Sequence, residues 1–138
     1  MRFALLAALA LTAIPAAAQT MEPGEWQFIN TTTSPILPKP QTTTLTQCVS
    51  KEDAADPTRF TAQGPAAECE VKQVSRTAES YSWTISCPKQ GMRGAGKARF
   101  GAGTVDTEMQ MTLEGQGGEK MELNSVTKAR HMGPCKTK

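Results

Sequence analysis

Apolar and polar residues alternate along most of this chain, with a period of two. The clearest run sets Val105, Thr107, Met109, Met111 and Leu113 against Asp106, Glu108, Gln110 and Thr112, the pattern of a strand with one buried face. Tyr81, Trp83, Ile85 and Cys87 alternate with Ser82, Thr84 and Ser86, and upstream Cys69 and Val71 alternate with Glu70 and Lys72. Folding these two segments about Ala78 sets Cys69 opposite Cys87, Val71 opposite Ile85 and Gln73 opposite Trp83, all on one face of an antiparallel hairpin. Trp26 and Phe28 flank Gln27 after a Pro23-Gly24 turn, in a strand expected to fade into Asn30–Thr33. The Thr-rich segment from Gln41 to Val49 forms another strand. Lys97 to Gly103 is one more, with Ala98 and Phe100 on one face and a type II′ turn expected at Gly101-Ala102. Met121 and Leu123 open a last strand that ends near Ala129.

The intervening segments carry breakers. Pro35, Pro38 and Pro40 keep residues 34–40 out of any sheet interior. Ser50 ahead of Glu52 and Asp53 predicts one short helical turn, stopped at Asp56-Pro57. Thr58 to Ala67 is expected to be a loop anchored by Phe60, and Gly91, Gly94 and Gly96 mark Lys89 to Lys97 as flexible. Seven candidate strands without a long helical period predict an all-β fold. The expected form is a single antiparallel meander of about seven strands that curls into a partial barrel or sandwich.

The N-terminus changes the picture of where this domain works. Arg2, an apolar run from Phe3 to Ile14 and the Ala16-Ala17-Ala18 end describe a signal peptide over residues 1–18. That run is 12 residues, short of the ~20 needed to span a bilayer. A single β-domain over residues 19–138 remains, with no membrane span, and the expected address is periplasmic or secreted. It carries 14 Lys and Arg against 13 Asp and Glu, interspersed, which provides no field for nucleic acid. Its six aromatics make a thin core, so covalent staples matter. Cys48, Cys69, Cys87 and Cys135 are an even set in an exported chain and read as two disulfides. Zinc is disfavoured, since spacings of 21, 18 and 48 include no C-x-x-C pair and His131 is the sole histidine. The hairpin register favours Cys69–Cys87 with Cys48–Cys135. The competing arrangement is Cys48–Cys69 with Cys87–Cys135.

Pro23-Gly24-Glu25-Trp26, the segment Gln47-Cys48-Val49-Ser50-Lys51-Glu52-Asp53-Ala54 and the closing Met132-Gly133-Pro134-Cys135, together with Cys69 and Cys87, give the mature chain a wider likeness. It resembles the bacterial exported family catalogued as domain of unknown function family 3617. The resemblance implies a small envelope β-domain with four cysteines and brings no activity or catalytic residues with it. Gly24-Glu25-Trp26 is also similar to the first strand of the lipocalin-like barrels, although a Trp there more often plugs a core than marks a ligand cavity.

Candidate chemistry is sparse. A lone His131 between Arg130 and Met132, no spare thiol and no nucleophile motif leave no catalytic set, and a non-catalytic protein without cofactor is expected. Gly91 to Gly96 lacks the strand–loop–helix setting of a phosphate loop. Met109 and Met111 on one strand face, with Met121 across the hairpin and His131 beyond, are candidate Cu(I) ligands, because thioethers select that ion. Set against this, methionines at alternate strand positions also serve simply as core filling. The modest inward side chains (Thr, Ala, Val, Met, Ser) would leave room for a small apolar ligand or lipid in a closing sheet, or would face an envelope protein. By elimination the expected role is binding or structural, in the cell envelope.

Overall fold

Each alternating segment becomes a strand in the computed structural model, which describes residues 21–56 and 68–136. The strands are β1 (Gly24–Thr33), β2 (Gln41–Val49), β3 (Glu70–Arg76), β4 (Ser80–Cys87), β5 (Met92–Gly101), β6 (Thr104–Glu114) and β7 (Lys120–Gly133). A five-residue helix, α1 (Lys51–Ala55), follows β2; Ser50 caps it by accepting from the Asp53 amide at 3.1 Å. The signal-peptide segment and the expected loop around Phe60 lie outside the described residues.

All seven strands join one antiparallel sheet in the order β2-β1-β7-β6-β5-β4-β3. The pairing of β1 with β7 is the one step between strands distant in sequence, and it turns the meander back on itself. Edges β2 and β3 are not paired to each other, so the sheet curls without closing. Cys69–Cys87 joins the segment entering β3 to the end of β4, and Cys48–Cys135 ties β2 to the tail beyond β7.

Three details differ from expectation. First, β5 starts at Met92 and runs straight through Gly94 and Gly96, where flexibility was expected. Gly96 pairs with Trp83 of β4, and a Cβ at this position would overlap the Trp83 ring. The glycine is there for close approach within a strand. Second, the β5–β6 turn is Ala102-Gly103, one residue later than expected, with the left-handed conformation at Gly103 (φ 66°). Third, β1 continues to Thr33 and β7 to Gly133, because Glu25–Thr33 and residues 124–133 are paired with each other.

Inward side chains build the core. Trp26, Val49, Tyr81, Trp83, Ala98, Val105 and Ala129 are buried in one cluster with Met21 and Ala54 of α1. The Trp26 indole donates to the Glu22 carbonyl at 2.7 Å and packs against the His131 ring at 5.4 Å. Trp26 therefore plugs one end of the curl. The convex face carries Arg99, Asp106 and Lys128 side by side on neighbouring strands, with Ile29 and Val126 exposed among its charged and polar residues.

Candidate functional site

A curved sheet with small inward residues leaves space along its concave side. A cavity of about 480 Å³ lies there, lined by residues of six strands from β1 to β7 and by Met21; ligand sites typically measure ~300–1,000 Å³. Cross-strand register arranges its wall in rows. Phe100, Val105, Ala129, Phe28 and Leu45 form an apolar row. The next row holds Tyr81, Ala98, Thr107, Thr127, Asn30 and Thr43, a polar belt crossing the sheet. Beyond it Trp83, Gly96 and Met109, in register with Ser125 of β7, begin a second apolar zone that continues into Ile85, Met111 and Leu123. Leu45 lines the cavity from edge strand β2 yet is 58% exposed, an uncovered apolar group of the kind that marks interaction sites when it borders a groove.

The belt is held in place by its own bonds. Asn30 donates from Nδ2 to Ser125 Oγ (2.6 Å) and Thr127 Oγ1 (2.7 Å), and its Oδ1 accepts from Thr32 (3.0 Å). Two wall groups lack such partners. Tyr81 and Trp83 stack with ring centroids 5.3 Å apart and are 1% and 3% exposed. The Tyr81 hydroxyl and Trp83 Nε1 are shut off from water with no hydrogen-bond partner among the described residues. Each such group costs about 1–3 kcal/mol of desolvation. Burial pushes the Tyr81 phenol pKa up, the Asp56 carboxylate pushes it further, and Arg76 opposes. The folded protein thus holds this proton more tightly than the unfolded chain, whose phenol ionises near pH 10. Stability from Tyr81 is complete below that pH and is lost as pH rises through the higher folded value. In alkaline denaturation, wild type should accordingly lose stability more steeply above pH 10 than Tyr81→Phe; parallel curves would contradict this.

The copper candidates fall in two places. Met109 and Met111 of β6 and Met121 of β7 share the concave face, with Met109 in the cavity wall. His131 lies six residues along β7 from Ser125, the partner of Met109, a span of roughly 20 Å. His131 sits instead at the plugged end, with Nδ1 3.7 Å from the Glu22 carboxylate and Nε2 3.3 Å from the Pro23 carbonyl. Among the described residues no group of three or more His, Cys, Asp or Glu is placed to hold a metal ion. Also among the described residues, no helix is long and apolar enough to cross a membrane. Reading the sequence missed the Asn30 belt, since a Thr and Asn run looks like a strand giving out. It also took Tyr81 and Trp83 for core, and alternation alone could not show that their polar atoms are buried without partners among the described residues.

A family model described as a protein of unknown function (DUF3617) matches residues 21–135. No curated protein and no solved structure matches.

Proposed function

This chain belongs to the DUF3617 family, and on that premise we propose that it is a non-catalytic binding protein holding a small apolar ligand against the concave face of its sheet. The observation that carries this reading is the cavity of about 480 Å³ with Phe28, Leu45, Phe100, Val105 and Met109 in its wall. Apolar surface left open between two unpaired edges is stabilised by a ligand that removes it from water. Two disulfides suit an oxidising compartment, and the signal-like residues 1–18 support export to the periplasm or outside the cell.

Titration of the full oxidised protein with the neutral fluorophore N-phenylnaphthylamine tests this. Saturable, single-site enhancement is expected. Thr107→Trp, which places an indole in the cavity from the middle of the belt, should abolish it while leaving a cooperative melt. Absence of saturable binding to folded wild type, or binding unchanged in Thr107→Trp, would overturn the reading.

A further inference from the structure

We propose that the outer edge of β2 pairs with the β2 edge of a second copy of this chain, antiparallel and two-fold about Leu45, so that the sheet runs on from one protomer into its partner. This contact lies on the rim of the sheet and does not depend on what the cavity holds. Among the described residues no strand lies beyond β2. The strand, Gln41–Val49, carries no charged residue and no proline, and its register with β1 runs from Gly24 to Thr32 without a shift. Gln41 to Thr46 are all exposed. A long, regular, uncharged edge leaves a row of backbone N–H and C=O groups open to another strand, and proteins ordinarily guard such edges with charges, prolines or bulges.

The opposite edge has those guards. Strand β3 carries Glu70, Lys72 and Arg76, with Lys72 and Glu70 paired at 3.2 Å, and its register shifts between Gln73 and Ser75. That bulge and those charges disfavour addition of β2 to the β3 edge of another copy, a head-to-tail contact that would grow into filaments. Pairing β2 with β2 instead uses up the open edge of both copies and leaves a guarded β3 at either end, so assembly stops at a dimer.

The sequence of β2 also fits itself. Leu45 lies midway between Gln41 and Val49, so a two-fold through it sets Leu45 against its own copy, Thr44 against Thr46 and Thr43 against Gln47. No like charges meet, and apolar and Thr–Thr cross-strand pairs are favourable. The Leu45 side chain, 58% exposed on the concave side, becomes one half of an apolar pair at the centre of the contact.

Sedimentation velocity of the full oxidised protein should show a monomer–dimer equilibrium that moves toward dimer as concentration rises. Leu45→Lys and Leu45→Glu each place like charges across the two-fold, and each should weaken the dimer by about tenfold or more. Mixing the two variants in equal amounts should restore it, since a register that sets residue 45 against residue 45 brings the lysine to the glutamate. Because Leu45 is exposed, both variants should keep the circular dichroism of wild type. Val74→Lys, at the exposed bulge of β3, should dimerise as wild type does. A wild type still monomeric at about 1 mM overturns the proposal. So does a dimer that persists unchanged in Leu45→Lys, one lost in Val74→Lys, or a mixture of the charged variants that stays monomeric.

Discussion

Reducing both disulfides should lower the melting temperature by about 20 °C or more, since each kcal/mol is worth several degrees in a domain of this size. Cys69–Cys87 closes a loop of 18 residues and Cys48–Cys135 one of 87, which chain-entropy arguments value at about 3 and about 4.5 kcal/mol. Typical domains have only about 5–15 kcal/mol in total, so little or none would remain. The loss should be unequal. The Cys48→Ala, Cys135→Ala pair should melt lower than the Cys69→Ala, Cys87→Ala pair, because the longer loop regains more freedom and edge strand β2 loses its tie to the tail. Calorimetry with and without a phosphine reductant measures this, and an unchanged melt in strong reductant would refute it.

The second large effect concerns Trp83 and Gly96. Trp83→Ala should cost about 3–5 kcal/mol, the range for a large buried aromatic. Gly96→Val should be destabilising by ~3 kcal/mol or more, since a branched side chain must displace a ring already lying over the glycine. The two costs should not add. With the indole gone, valine at 96 occupies part of the space it left, so the double variant should be no less stable than Trp83→Ala alone. Urea denaturation of the four proteins gives the coupling, and full additivity would show that the ring and the glycine do not depend on each other.

That pair also shows where reading the chain stopped working. A glycine at 94 and at 96 signals freedom when only neighbours in sequence are considered. In the sheet, the same glycines are the inward positions of β5 facing Ile85 and Trp83 of β4. The hairpin of β3 and β4 was legible because alternation specifies a face, and one face must be apolar. Its pairings of Val71 with Ile85 and Gln73 with Trp83 are those observed. Arg76 pairs with Tyr81 one step away from a strict fold about Ala78, since a bulge at Val74 inserts a residue. Such an insertion leaves no mark in a periodic pattern. The long strands β1 and β7 were underestimated at their ends for a related reason. Thr31–Thr33 and residues 130–133 have weak alternation of their own and are strands because each pairs with a segment distant in sequence, Thr31–Thr33 with Asn124, Ser125 and Val126, and 130–133 with Glu25, Trp26 and Gln27.

By itself, then, the order of residues determined the all-β class, the number of strands, the capped helix at Ser50 and the cysteine chemistry of an oxidised domain. These follow from periodicity, capping and redox context, which are local or compositional. Only the tertiary structure decided that the sheet stays open, that β1 meets β7, and that the Asn30 belt crosses a cavity. Only there do the Tyr81 hydroxyl and Trp83 Nε1 turn out to be buried without hydrogen-bond partners among the described residues. Those facts depend on which side chains of distant strands share a row across the curled sheet, and no local pattern encodes that.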